Sequence, residues 1–165
     1  MSNPPESWVD HWSALHKRGG FAAVGHPLLP ETLNRWLYAT WARRIGRFVR
    51  EHHLEPTSVF DAGAGSGFWV RWWLSHGARV VDGIDFVSGA VDHLSARYPG
   101  HFVLGDLAQT PVEGAYDLVE SMNVLLHITD ASAFRRALTN LAVGVRPGGH
   151  LLLFEPLVLG RTMIS

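Results

Sequence analysis

The chain has 165 residues, 47% hydrophobic and 18% charged, with a formal net charge of −1. That length and balance suit one globular domain with a sizeable core and exclude a disordered polymer. A charge near zero gives no overall pull toward nucleic acid or an anionic membrane, and the absence of cysteine excludes disulfides and thiolate metal sites.

The N-terminus, M-S-N-P-P-E-S-W, lacks the basic and apolar regions of a signal peptide, and no apolar run is long enough to span a bilayer. A cytoplasmic location is the expectation. The ten histidines are scattered without ligand spacing, so no metal site is expected. A short helix is expected around Trp8–Lys17, with Trp8, Trp12 and Leu15 on one face. The glycines and prolines from Gly19 to Pro30 make that stretch loop. Glu31 to about His53 reads as a long amphipathic helix, with Leu33, Leu37, Trp41, Ile45 and Phe48 as its apolar stripe. Arg43, Arg44, Arg47 and Arg50 fall mostly off the stripe and are expected to form a solvated face. Residues 1–55 are expected to act as a helical cap or lid, and 56–165 as the core.

Pro56 ends the lead-in. A short apolar run, Val59-Phe60, reaches Asp61, and three glycines follow at alternate positions, Gly63, Gly65 and Gly67. Phe68–Leu74 then reads as a buried helix, closed by Gly77. Arg79–Asp85 is a second strand ending in an acid. This is a strand–glycine turn–helix–strand unit of a nucleotide-binding sheet. A backbone that turns sharply beside a ligand needs residues without a Cβ. Free N–H groups at the helix start favour acceptors or negative charge. A carboxylate at the second strand's tip can accept from ribose hydroxyls. A helix over Ser88–Tyr98 follows, then a strand over His101–Asp106 and another over Tyr116–Asn123. Asp130–Val143 reads as helix, Arg146-Pro147-Gly148-Gly149 as a sharp turn, and His150–Leu159 as a fifth strand. Alternating strands and helices argue an α/β, Rossmann-like, doubly wound and mainly parallel sheet. Asp61, Asp85, Asp106 and the Asn123 region all fall at strand ends and so converge on one rim, where ligands of such sheets bind.

The glycine pattern separates two nucleotides. In the dinucleotide fingerprint G-x-G-x-x-G, counted from Gly63, the third glycine falls at Phe68; here it comes one residue early, and Asp61 precedes the first by two. D-A-G-A-G-S-G resembles the first motif of class I S-adenosylmethionine-dependent methyltransferases of the small-molecule type. G-I-D-F resembles the second, G-D-L the third, and Y-D-L-V-E-S-M-N-V-L-L-H-I-T-D the fourth. R-P-G-G-H-L-L-L-F-E-P resembles the turn and strand that follow. The match runs from about Val59 to Pro156. The resemblance implies that S-adenosyl-L-methionine is the cofactor. It implies that Asp61, Ala62, Gly63, Gly65 and Gly67 hold its methionine end, that Asp85 binds the ribose, and that Phe86 lies beside the adenine. Asp106 would take the adenine amino group and the Leu107 N–H a ring nitrogen. Asn123 and Val124 belong to the Ser121–His127 stretch that would line the methyl-transfer site. In this family an N-terminal helix often covers the cofactor cleft, which brings Asn34, Trp36 and Tyr38 within reach of cofactor or substrate.

The chemistry asks the protein to position a nucleophile behind an activated methyl in a water-poor site. A hydroxyl acceptor also needs a base, for which His127 is the candidate; Gln109 and Glu120 are further candidates. The N-P-P-Y-type motif of enzymes acting on DNA bases and glutamine is replaced by Asn123-Val124-Leu125-Leu126. A small-molecule methyl acceptor is therefore expected, with neither nucleic acid nor membrane as partner. Two other classes stay open: a nicotinamide-dependent oxidoreductase, and a non-catalytic or partner-dependent cofactor-binding module. The family's sheet usually adds two strands after the fifth, for which no residues remain. The polypeptide is then either a piece of a longer one or covers an open sheet edge with a partner, a homodimer being the simplest case.

Overall fold

The structure is a computed structural model and describes residues 8–17, 24–25 and 28–155. Most of the Gly19–Pro30 loop and the expected run of the fifth strand to Leu159 lie outside the described residues. Helices α1 (Trp8–His16) and α2 (Glu31–Glu51) precede the sheet. There follow β1 (Ser58–Ala62), α3 (Phe68–Ser75), β2 (Val80–Asp85), α4 (Ser88–Arg97) and β3 (Phe102–Leu104). The last elements are β4 (Tyr116–Met122), a single 3-10 turn (Leu125–His127), α5 (Ala131–Val143) and β5 (Val145–Phe154).

The strands form one sheet in the order β3-β2-β1-β4-β5, all pairs parallel. The α/β class and the parallel sheet are thus as the sequence pattern implies. From β1 the chain builds outward through β2 and β3, then returns to β4 on the other side. The switch point therefore lies between β1 and β4, and it fixes where a ligand crevice opens.

Period-2 alternation sorts the strand residues onto two faces. Val59, Val81, Leu118 and Met122 join α2, α3 and α4 through Ile45, Trp69, Val70, Trp73 and Leu94. Phe60, Ala62, Ile84 and Val119 join α5 through Ala137 and Leu141. Asp61 and Glu120, in register with each other, take the α3 face. The expected burial of α3 is met: Trp69, Val70, Trp72 and Trp73 are all buried.

Three expectations change. The stripe on α2 is displaced: Leu33 and Phe48 are exposed, while Asn34, Tyr38, Ile45 and Gly46 are buried. The polar members can be buried because each has a partner: the Asn34 amide donates to the Leu29 carbonyl and the Tyr38 hydroxyl to the Val24 carbonyl. Gly46 lets Trp72 approach the helix closely. The arginines of α2 do form an exposed face. The third strand ends at Leu104, so Gly105 and Asp106 belong to the loop. Arg146–Gly149 is not a turn between elements but a bulge inside β5. While β4 advances from Tyr116 to Leu118, β5 advances from Val145 to His150, with Gly148 at φ +78°. No helix among the described residues is long and apolar enough to cross a membrane.

Candidate cofactor site

The glycine turn follows β1 at the switch point. Gly63, Gly65 and Gly67 have φ of +76°, +53° and +76°. The Gly63 and Ala64 N–H groups both donate to the Ile84 carbonyl, at 2.8 and 3.1 Å, which ties the turn to β2. Gly67 starts α3 in the left-handed conformation and supplies no side-chain cap. A Cβ there would also stand 2.8 Å from Leu94 and 2.7 Å from Tyr98, so the close approach of α4 demands glycine as much as the dihedral does.

A row of three acids crosses the sheet beneath this turn. Asp61 is 1% exposed and Glu120 wholly buried, side by side on β1 and β4. Burial, reinforced by Asp85, pushes Asp61 up to about 7. Burial and the neighbouring Asp61 carry Glu120 well above the ordinary carboxylate range, against a pull from the Trp73 indole. The buried side-chain atoms without a hydrogen bond among the described residues are Asp61 Oδ2, both Glu120 oxygens and Trp73 Nε1. They form one neighbourhood. Asp85, at the tip of β2, accepts from the Gly65 N–H through Oδ2 and the Val87 N–H through Oδ1, each at 2.9 Å. Burial raises it, while those two N–H groups and His16 hold it back.

The remaining candidates arrange themselves around this row. Ala62 faces the α5 layer and is fully buried, so only its backbone borders the turn. Phe86 is half-buried beside Asp85. Asp106 is exposed; it accepts from the Ala108 N–H and from the Gln109 amide at 2.9 Å. Gln109 is therefore spent on Asp106, and Glu120 lies too deep to reach an acceptor; neither stands as a base. Leu107 is buried, its carbonyl held by Asn140. Asn123 sits at φ +60° and its N–H donates to the Phe154 carbonyl. Val124 packs on the glycine turn: a Cβ on Gly63 would lie 2.5 and 2.8 Å from its methyl groups. His127 is half-buried and held below its ordinary pKa, first by burial and then by His11. Tyr38 reaches over from α2, where burial and Asp61 raise its hydroxyl. Asn34 turns inward to the Leu29 carbonyl and Trp36 is exposed, so neither joins the row.

Contacts from the first helix were not legible in the sequence. The Trp12 ring meets His127 edge-on at 5.0 Å, and His16 lies near enough to Asp85 for their charges to interact. Val24 stands over Gly65. Tertiary packing brings these three in, and no local motif marks them. Glu155, the lone acid after an apolar strand, accepts from the Ser121 hydroxyl and from the backbone of the loop after β4, contacts that no local motif marks.

The match to known proteins agrees with this geometry. The model of the family described as "Methyltransferase domain" matches residues 59–149. The malonyl-[acyl-carrier protein] O-methyltransferase of Serratia marcescens is 36% identical over 104 residues, covering 62% of this chain and 39% of that protein. The tRNA U34 carboxymethyltransferase of Pseudoalteromonas atlantica is 34% identical over 151 residues, covering 87% of this chain and 43% of that protein. The chain thus spans about two fifths of the length of these curated relatives. Since one of them is named for tRNA, neutral overall charge does not decide between small-molecule and nucleic-acid acceptors. The sugar N-methyltransferase KedS8 from a Streptoalloteichus species shares the fold with a TM-score of 0.64 at 16% identity, over 98% of this chain and 62% of that one. With the family model covering more than half of its length, the chain belongs to the class I S-adenosylmethionine-dependent methyltransferase family.

Proposed function

We propose that this chain binds S-adenosylmethionine on the rim of β1, β2 and β4 and supports methyl transfer, by in-line displacement, to a small-molecule acceptor. The observation that carries this is the buried Oδ2 of Asp61, without a hydrogen bond among the described residues, under a turn of positive-φ glycines. A carboxyl in that state calls for a cation or a proton. The methionine end of the cofactor offers an ammonium. When bound, the cofactor supplies a methyl group already activated on a sulfonium.

The rest follows from the chain's own groups. Each Asp85 oxygen takes one backbone N–H, and a carboxylate has about four lone-pair sites, so capacity remains for two ribose hydroxyls. Phe86 flanks the adenine, Asp106 takes its amino group, and the Leu107 N–H takes a ring nitrogen. Asn123 and Val124 border the sulfur end. His127, low in pKa and therefore neutral at pH 7, accepts the acceptor's proton at a ring nitrogen. Residues 1–55 act as a cap that keeps water from the site, with Trp12, His16 and Tyr38 as its contacts. The exposed Leu151 and Leu153 of β5 form the face that a second copy of the chain covers.

The test is calorimetric titration with S-adenosylmethionine, S-adenosylhomocysteine and NADH. Micromolar binding of the first two without NADH is the expected outcome. Binding of NADH in their place would sink the assignment. A second class, a module that binds the cofactor but needs further protein for turnover, is favoured by the chain's two-fifths span of its relatives. Cofactor binding without transfer to any of a panel of small hydroxyl and amine acceptors would move the assignment there.

A further inference from the structure

The tip of β5 is spent on one neighbour. Glu155 Oε1 accepts from the Ser121 hydroxyl and from the Val124 and Leu125 N–H groups, each at 3.0 Å. Its Oε2 accepts from the Leu126 N–H at 3.3 Å. One residue earlier, the Phe154 carbonyl accepts from the Asn123 N–H at 2.8 Å. Every backbone donor from Asn123 to Leu126 therefore ends on two residues at the C-terminal end of β5, its last residue and the one after it.

The need for such an acceptor is local. The 3-10 turn Leu125–His127 opens with N–H groups that have no partner within the turn, and Val124 before it provides no side-chain cap. A carboxylate brought from β5 fills that role, with a negative charge at the turn's positive end. Asn123 is in a left-handed conformation, which asparagine adopts more readily than other side chains, and the bonds of its own N–H and the next to Phe154 and Glu155 fix it there. The clamp has two consequences at the site. It sets the Val124 methyl groups against Gly63, and it sets His127 edge-on to Trp12.

We propose that Glu155 is a positioning residue of the cofactor site: it touches no cofactor, but its carboxylate fixes the Asn123–His127 loop against the glycine turn. This rests on the cofactor site proposed above. A Glu155 that only supports the fold would change global stability and leave the affinity of the folded chain alone. One that positions the loop changes affinity and local order.

The experiment compares the full chain with Glu155→Ala and Glu155→Gln by calorimetric titration with S-adenosylmethionine, and by amide hydrogen exchange without cofactor. In Glu155→Ala, affinity is expected to fall about tenfold or more, with faster exchange at Val124–Leu126 and unchanged exchange in β1. Glu155→Gln keeps an oxygen for the three donors of Oε1 and is expected to stay within about threefold of wild type. Wild-type affinity in folded Glu155→Ala would overturn the proposal. So would exchange that accelerates evenly along the chain, or a Gln variant as weak as Ala. Should Glu155→Ala fail to fold, Glu155→Asp decides, because it keeps the charge one methylene short: wild-type affinity there overturns the positioning role. A wild-type chain that takes up no S-adenosylmethionine overturns the cofactor site itself, and the positioning role with it; that outcome is read from the wild-type titration alone.

Discussion

Asp61 and Glu120 stand buried on neighbouring strands, and among the described residues Asp61 Oδ2 and both Glu120 oxygens have no hydrogen bond. Their burial makes folding proton-linked. An acid whose folded pKa exceeds its unfolded value binds its proton more tightly when folded. Its contribution is full below the ordinary value of 3.8 and is lost as pH rises through about 7 for Asp61. His16 and His127, held low by burial, tilt the other way: their cost falls as pH rises toward 6.5. Comparison with Asp61→Asn isolates the acid. Between pH 5 and 7.5 the stability of wild type should fall relative to Asp61→Asn, at up to about 1.4 kcal/mol per pH unit, read from urea unfolding. Parallel curves would mean that Asp61 does not hold a proton in the cofactor-free chain. At the rim, Asp85→Ala should weaken S-adenosylmethionine binding by about 1–3 kcal/mol in calorimetry, through loss of charge-assisted hydrogen bonds. Asp61 and Asp85 were legible in the sequence because each ends an apolar run next to the glycines. Glu120 was legible only as an acid in a strand. That its neighbour in space is Asp61 depends on the register of β1 with β4, which no local pattern encodes.

Strands and helices of the first βαβ unit follow their sequence signals closely, because there local propensity, turn chemistry and burial agree. They part where tertiary contacts override the pattern. Arg146-Pro147-Gly148-Gly149 has every mark of a turn, yet β5 runs on through it as a bulge. What holds the bulge is Asp117, at the start of β4. Its Oδ2 accepts from the Thr57 N–H and hydroxyl and the Ser58 N–H, at 2.7, 2.8 and 2.9 Å. Its Oδ1 accepts from Arg146. One carboxylate therefore joins the beginnings of β1, β4 and β5, and these donors hold it well below the usual carboxylate range. The sign is opposite to that of Asp61: the stabilisation is present above pH 3.8 and disappears as pH falls below it. Asp117→Asn should cost about 1–3 kcal/mol at pH 7, and the gap should begin to narrow below pH 3.8 and close only in strong acid, as pH falls through the depressed folded value. A gap that persists in strong acid would place the effect elsewhere than in the charge. Gly67→Ala should also destabilise the chain, by about 2 kcal/mol or more, since it combines a left-handed φ with overlap on Leu94 and Tyr98.

At the scale of the molecule, the position of the site was legible in the sequence because topology alone places it. Strands that end in Asp61, Asp85 and Asn123 bring those residues to one rim wherever the helices pack. The cap was legible as helices but not as contacts, since nothing local in α1 specifies His127 or Asp85 as a neighbour. The same topology leaves an account to settle at the other side of the sheet. β5 is the last described strand beyond β4. Leu152 and Phe154 point toward the α2–α3 face and are partly covered there. Leu151 and Leu153 point the other way, where α5 leaves them 37% and 42% exposed. Among the described residues β5 is an edge strand with an apolar face, and such a strand is a template for association. A second copy of this chain carries the same strand and the same face, so a two-fold pairing along β5 would cover both at once. Sedimentation velocity should then show the average mass of the chain rising with concentration. Leu151→Lys with Leu153→Lys should return it to monomer without changing the affinity for S-adenosylmethionine, because both residues lie off the glycine turn and the acid row. A wild-type chain that stays monomeric throughout would show that this face does not pair copies, and a double variant that loses cofactor affinity would tie β5 to the site more closely than Glu155 alone does.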